Sequence, residues 1–178
     1  MKISYPELST KIKNNSGLVS TLKVLDKAIT YLTVLLYLGL LAYLIYIIPQ
    51  QGATLLYRSV LIPGVSFVFV SLFRKIASQP RPYEVYGFVP ALDKDTKGKS
   101  FPSRHVFSIF IVAMTFFQVS IPMGVILIVM GIALAVIRVV GGVHFIKDVV
   151  AGAAIAILIG VLCFWFFCGV FGFLMLPF

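Results

Sequence analysis

The residues best suited to chemistry are a histidine and an aspartate near the end of the sequence. His144 and Asp148 are four positions apart at the start of the last apolar stretch. On a helix this spacing places both side chains on one face. A carboxylate can then hold one ring nitrogen of the imidazole and leave the other free to attack an electrophile. The same spacing also occurs in ordinary helix-end ion pairs, so it indicates chemistry only together with other residues.

A second cluster precedes a shorter apolar run. Ser103 follows Pro102 and stands where a helix N-cap is expected. There its hydroxyl and the first backbone N–H groups would point at an anion. His105, two residues further on, is placed to donate a proton to a leaving oxygen. A serine at such a position is more often an ordinary cap, so this cluster also needs the others beside it.

Three arginines, Arg74, Arg81 and Arg138, complete the pattern. A guanidinium binds two phosphoryl oxygens at once, so converging arginines favour a phosphate site. Gly141-Gly142 lies between Arg138 and His144 and permits a sharp turn that returns the arginine toward the imidazole. Taken alone, basic residues beside apolar segments are usually interfacial anchors, and paired glycines usually indicate close helix packing.

The composition is that of a membrane protein, and such a protein must position the residues described above. Of its 178 residues 60% are hydrophobic and only 12% are charged, with a mean hydropathy of +1.05. A soluble domain is about one quarter charged. The formal charge of +9 could indicate nucleic acid. However, the basic residues are scattered between apolar segments without a recognition module, so we expect lipid head groups and phosphates as anionic partners and no nucleic acid.

The apolar pattern predicts an all-α integral membrane helix bundle with about five transmembrane helices. Their approximate ranges are 28–49, 53–73, 105–119, 120–140 and 149–170. Residues 1–27 combine five lysines with leucines and a valine at helical spacing. They predict an amphipathic helix that lies on the membrane surface.

Five crossings place the polar chemistry on one face of the membrane. Residues 1–27, 74–104 and 138–148 share that face, so a functional site there lies on the same side as the N-terminus. Of the 15 Lys and Arg residues only Arg58 belongs to the opposite face, whereas all six acids lie on the first. Because the motifs and nearly all charged residues share one face, a functional site explains them better than a separate structural role for each motif.

The three motifs resemble the signature of the type 2 phosphatidic acid phosphatase superfamily, which also includes vanadium haloperoxidases. The matching elements, in the family's order, are Arg74-x6-Arg81-Pro82, Pro102-Ser103-Arg104-His105 and Arg138-x5-His144-x3-Asp148. The resemblance covers about residues 53–165. Together with the apolar pattern, it predicts an interfacial segment, 1–27, followed by a transmembrane lipid phosphatase domain, 28–178.

The resemblance also implies catalytic roles. His144 would attack phosphorus to give a phosphohistidine, Asp148 would orient His144, and His105 would protonate the leaving group. The phosphoryl oxygens would be held by Arg74, Arg81, Ser103 and Arg138. No metal or other cofactor is expected.

The sequence departs from the family pattern at three positions. The first basic residue is usually Lys but is Arg74 here, and Lys75 beside it is a candidate to share its role. Arg104 replaces the usual Gly and either adds a cation near the phosphate or turns toward the membrane surface. Ile137 replaces a frequent Ser, which removes a hydrogen bond from that position.

Two other classes of protein are alternatives to a lipid phosphatase. A non-catalytic lipid-binding or transporting bundle would keep the anion site, but a transporter more naturally places ionisable groups at the bilayer midplane. A haloperoxidase would require a soluble scaffold, which the composition excludes. The sequence leaves the oligomeric state open.

Which lipid is cleaved depends on the side of the cell membrane that carries the site. Positive residues predominate on the site face, which indicates the cytoplasm and suits phosphatidic acid or phosphatidylglycerol phosphate. Bacterial relatives with six crossings are expected to place the site outside, which suits undecaprenyl pyrophosphate. The side and the lipid both remain open, and the loop 83–100 is placed to cover the site.

Overall fold

The chain folds into helices joined by turns and loops. The computed structural model describes residues 5–92 and 96–166. In chain order the helices are α1 (Tyr5–Lys13), α2 (Ser16–Tyr46), α3 (Ile48–Gln51), α4 (Thr54–Ala77), α5 (Pro82–Tyr86), α6 (Arg104–Phe116), α7 (Ile121–Val140) and α8 (Ile146–Gly160), which the π-helical segment Val161–Phe166 continues. The prediction of an all-α fold is confirmed.

Within the described residues, four helices are long and apolar enough to cross a membrane. They are α2, α4, α7 and α8 with its π-helical continuation. The fifth apolar helix, α6, has 13 residues. It is therefore about 20 Å long, against a hydrocarbon core of about 30 Å. The predicted bundle of about five apolar helices is confirmed, and the last predicted span, 149–170, extends beyond the described residues.

Helix α6 lies at the centre of the bundle. Every residue from Ile109 to Phe116 is buried, and α6 packs against α7, α8, α4 and α2. A helix that is apolar on all sides fits such a position, because protein surrounds it. Close packing depends partly on Gly131 of α7, where a Cβ atom would lie 2.6 Å from the Phe110 ring. The short helix thus forms the core instead of a lipid-facing span.

The N-terminal segment consists of two helices, and the second belongs to the first spanning helix. The Asn15 side chain accepts the Leu18 N–H at 3.0 Å, which caps α2 at its start. Residues 16–27 are therefore the first turns of α2. Leu22 on their apolar face packs in a cluster with Leu92 and Ile137. The membrane-surface location of the segment and the division at residue 27 stay predictions.

Helix α1 contacts the turn that precedes α8. The Tyr5 ring stacks on Tyr86 at 5.9 Å between centroids and meets the edge of Phe145 at 5.4 Å. The Ile146 N–H donates to the Tyr5 hydroxyl at 3.4 Å. The amphipathic N-terminal helix is thereby joined to the end of the bundle that carries the sequence motifs.

The opposite end of the bundle is held by different contacts. Arg58 donates to the Phe164 carbonyl at 2.5 Å and its guanidinium lies 5.7 Å from the centre of the Phe164 ring. The Tyr37 hydroxyl donates to the Ser59 carbonyl at 2.8 Å, which joins α2 to α4. These contacts fix the helices far from the motifs.

Candidate active site

A tight turn between α7 and α8 positions His144. Gly142 has φ +78°, which a residue with a side chain rarely adopts. The N–H groups of Val143 and His144 both donate to the Arg138 carbonyl, at 3.2 and 3.3 Å. The turn therefore brings His144 back beside the end of α7. His144 precedes the helix, which begins at Ile146, and does not lie on it as the spacing predicted.

Asp148 reaches His144 from the first turn of α8. Its Oδ2 lies 3.4 Å from the imidazole Nδ1 and accepts the Phe145 N–H at 3.0 Å. The Ser100 hydroxyl donates to the same oxygen. Asp148 is fully buried. Its carboxylate therefore favours a proton on Nδ1 of His144 and leaves the Nε2 lone pair available.

Burial keeps the imidazole neutral. The side chain of His144 is only 2% exposed. Burial lowers the pKa of His144 to about 4, although its hydrogen bond to Asp148 acts in the opposite direction. At physiological pH the ring is unprotonated on one nitrogen, as a nucleophile requires.

Arg74 and Arg81 hold the loop that leads into α6. Arg74, in the last turn of α4, donates to the carbonyls of Lys99 and Pro102. Arg81 donates through Nε to the Gly98 carbonyl at 3.1 Å and through Nη1 to the Val143 carbonyl at 2.9 Å. A guanidinium carries five N–H groups, so each arginine keeps donors for an anion after making these bonds.

Arg138 forms a two-point ion pair with α2. Its Nε lies 2.7 Å from Asp26 Oδ1 and its Nη2 donates to Oδ2 at 2.9 Å. The two side chains are only 6% and 15% exposed. Asp26 thus fixes one edge of the guanidinium and leaves the other edge for a ligand.

The remaining predicted residues lie around the start of α6. His105 is half-buried, and Arg104 is exposed with its guanidinium 5.5 Å from the centre of the Phe67 ring. Lys75 is exposed in the last turn of α4. Ser103 is fully buried, and its N–H donates to the Asp148 carbonyl at 2.8 Å. Its hydroxyl has no hydrogen-bond partner among the described residues.

These side chains surround a cavity of about 270 Å³, which we call the phosphate cavity. Its lining comprises Ser71, Arg74, Lys75, Arg81, Thr96, Lys99, Arg104, His105, Arg138 and His144. All the predicted arginines and both histidines contribute to it. Ser103 and Asp148 stand behind the lining. A neutral imidazole and several arginine and lysine side chains thus line the same cavity. This arrangement is suited to binding a phosphoryl group.

An adjoining cavity of about 280 Å³ is largely apolar, and we call it the apolar cavity. Arg104 and His105 line both cavities. The walls otherwise come from α2, α4, α6 and α7. They comprise Thr30, Thr33, Val34, Phe67, Ser108, Ile109 and Leu134. A lipid chain placed there would put its phosphate end beside His105.

Two residues that position the site have no signature in the sequence. Ser100 bonds to Asp148 from a loop without regular structure, and no spacing relates it to the motifs. Asp26 lies 112 positions from Arg138 and resembles any charge near a helix start. Both contacts, Ser100 with Asp148 and Asp26 with Arg138, form only in the folded chain, so no local sequence pattern predicts them.

Fold and site together define a helical membrane protein with a cationic cavity beside a buried histidine. The chain belongs to the PAP2 superfamily, whose family model matches residues 52–168.

Two solved structures match the chain. Aquifex aeolicus LpxE is 23% identical, with a TM-score of 0.62 over 89% of this chain and 93% of that chain. A transmembrane PAP2 type phosphatidylglycerolphosphate phosphatase from Bacillus subtilis is 21% identical, with a TM-score of 0.48 over 91% of each chain. No curated protein matches the chain significantly. The family match and the likeness to LpxE agree with the helical fold described above.

Proposed function

We propose that the protein hydrolyses a phosphate monoester or diphosphate of a membrane lipid through a phosphohistidine at His144. The observation that carries this proposal is the neutral, buried His144 beside Asp148, on the wall of a cavity lined by Arg74, Arg81 and Arg138. The adjoining apolar cavity supports a lipid as the substrate.

The reaction has two steps. His144 Nε2 attacks phosphorus while the bond from phosphorus to the leaving oxygen breaks, and His105 donates a proton to that oxygen. Water then attacks phosphorus, His105 takes a proton from it, and the P–N bond breaks to release inorganic phosphate. The arginines stabilise the negative charge that the phosphoryl oxygens carry in both transition states.

Asp148 acts through His144. Its carboxylate lies on the Nδ1 side of the ring and stabilises the positive charge that develops when Nε2 bonds to phosphorus. The roles of Ser103, Lys75 and Arg104 in binding oxygens stay part of the proposal. Ser103 would act from behind the cavity lining, where its hydroxyl lies buried at the start of α6.

The test is phosphate release by the detergent-purified protein from phosphatidic acid, phosphatidylglycerol phosphate and undecaprenyl pyrophosphate. His144→Ala is expected to reduce release to background while the protein still elutes and melts as a folded species, because only the nucleophile is lost. Normal release by this variant would sink the mechanism. Absence of release from every lipid by the folded wild type would favour a non-catalytic lipid-binding bundle.

A further inference from the structure

Helix α1 turns one face toward the rest of the protein. Tyr5, Ser9 and Ile12 follow one another at intervals of four and three residues, so their side chains share a face of the helix. Ser9 and Ile12 are only 2% and 5% exposed. The exposed residues of the helix are Glu7, Thr10, Lys11 and Lys13. The face that carries Ile12 therefore packs on protein and is not free to insert into a membrane.

Tyr5 contacts the chain directly after His144. Its ring meets the edge of the Phe145 ring at 5.4 Å between centroids, and its hydroxyl accepts the Ile146 N–H at 3.4 Å. That N–H belongs to the first residue of α8 and has no partner within its own helix. Tyr5 thus supplies an acceptor that the start of α8 lacks.

Ile12 and Ser9 contact the protein on the other side of the same region. Ile12 packs in one cluster with Val143, the residue directly before His144. The Ser9 hydroxyl donates to the Val89 carbonyl at 3.3 Å, which holds α1 against the loop that follows α5. Helix α1 therefore contacts the chain both before and after the proposed nucleophile.

The residues that α1 contacts also bind groups of the site. The Phe145 N–H donates to Asp148 Oδ2 at 3.0 Å, and the Val143 carbonyl accepts a hydrogen bond from Arg81 Nη1 at 2.9 Å. A displacement of the turn between α7 and α8 would therefore move His144 relative to both Asp148 and Arg81. Reactions that depend on positioning are sensitive to such changes, since a shift of about 1 Å can cost roughly 100-fold in rate.

We propose that α1 holds the His144 turn, residues 141–145, in its reactive position, and that Tyr5 is the main positioning residue. Because α1 acts through His144, its effect on rate rests on the proposed function. The helix lies outside residues 52–168 that match the family model, so the family motifs do not imply this role. The alternative role for α1 is that of a membrane-surface anchor, and the two roles predict different results.

The experiment measures kcat and KM of the full-length protein in mixed micelles and in phosphatidylcholine vesicles, with the lipid that wild type hydrolyses fastest. Tyr5→Ala should lower kcat about tenfold in both, because the nucleophile is misplaced. Tyr5 does not line the phosphate cavity, so KM should change less than about twofold. Tyr5→Phe keeps the ring contacts and loses only one long hydrogen bond, so it should retain most of kcat.

Two controls separate positioning from general effects of charge or folding. Lys11→Gln/Lys13→Gln changes exposed residues of the same helix and should keep the wild-type kcat in micelles and vesicles. Amide hydrogen exchange, followed by mass spectrometry, provides a readout that does not depend on activity. The peptide spanning residues 141–147 should exchange faster in Tyr5→Ala than in wild type, whereas peptides from α6 should exchange as in wild type.

Each contrary result has a distinct meaning. An unchanged kcat of Tyr5→Ala in micelles overturns the positioning role, and a KM that then rises only in vesicles identifies α1 as a membrane anchor. A uniform rise in exchange throughout Tyr5→Ala shows general loosening and overturns the role as well. If folded wild type releases no phosphate from any lipid, the proposed function fails, and the exchange of residues 141–147 then decides whether α1 holds the turn.

Discussion

At the scale of single residues, His144 experiences two opposed influences on its pKa. Removal from water disfavours the protonated ring, and the neighbouring Asp148 favours it. Burial is the larger influence, so the pKa falls from 6.5 to about 4. The His144 ring is therefore neutral at physiological pH, and no separate base is needed to deprotonate it before it attacks.

This pKa predicts how stability depends on pH. Between about pH 6.5 and pH 4 the unfolded chain binds a proton at His144 while the folded chain does not, so stability is fully present above this range and falls as the pH falls through it. The melting temperature in detergent should drop more between pH 7.5 and pH 4.5 for wild type than for His144→Gln. Both proteins keep His105, so identical drops would contradict the lowered pKa.

The Asp26–Arg138 ion pair predicts a positioning role for a residue that contacts no substrate. Asp26→Ala should lower kcat/KM for every lipid by about tenfold or more, because removing one partner leaves a largely buried guanidinium without its carboxylate. Glu7→Ala, which removes an exposed acid of α1, should change activity and stability little.

A double-variant cycle distinguishes positioning from loss of folding. If Asp26 acts through Arg138, Asp26→Ala should have little further effect on kcat/KM in an Arg138→Gln background. Additive losses would show that Asp26 acts elsewhere.

The motif residues could be predicted from sequence because their spacing follows local rules. His144 and Asp148 are four positions apart, and their contact forms within five residues. Ser100 and Asp26 act across the fold, where sequence distance carries no information. Spacing therefore indicated the motif residues, which lie in or behind the lining of the phosphate cavity, and missed Ser100 and Asp26, which contact them across the fold.

At the scale of elements, the contact between α6 and α8 sets the geometry of the site. The Ser103 N–H donates to the Asp148 carbonyl at 2.8 Å, which joins the start of α6 to the first turn of α8. One turn later, a Cβ atom on Gly152 would lie 2.6 Å from the Ser103 carbonyl oxygen. The two helices approach so closely because this position has no side chain.

Gly152→Ala should therefore separate α8 from α6. We expect a loss of about 1–3 kcal/mol in stability, the usual cost of overpacking, together with reduced kcat as Asp148 shifts. Gly39→Ala is the matched control, because a Cβ atom there meets nothing within 4 Å and alanine favours a helix. Thermal melts and phosphate release of the two variants test this, and equal behaviour would refute the close-contact explanation.

The boundary of the first spanning helix shows what an apolar pattern leaves undetermined. The sequence predicts Leu22 on a membrane-facing surface, yet Leu22 packs in a cluster with Leu92 and Ile137. An apolar face is the same in sequence whether lipid or protein covers it. The helical class and the approximate number of apolar helices could be predicted, but the partner of each face could not.

At the scale of the whole molecule, cationic side chains supply the positive charge of the phosphate cavity. The described residues contain no group of three His, Cys, Asp or Glu side chains placed to hold a metal. Because arginines line the cavity and can stabilise the phosphoryl oxygens, we expect phosphate release to continue in excess EDTA, as measured against an untreated sample. Loss that added Mg²⁺ or Zn²⁺ restores would contradict this prediction.

The contact between Tyr37 and Ser59 joins α2 and α4 at the end far from the site, and the apolar cavity lies between the nearer parts of these helices. Two side chains of its lining, Val34 and Phe67, are 50% and 39% exposed, so the cavity is open between α2 and α4. On the proposed function, we expect a lipid to enter sideways from the bilayer through this opening. The rate of such an enzyme depends on the mole fraction of substrate in the membrane, so diluting the vesicles in buffer should leave it unchanged while diluting the substrate with inert lipid lowers it.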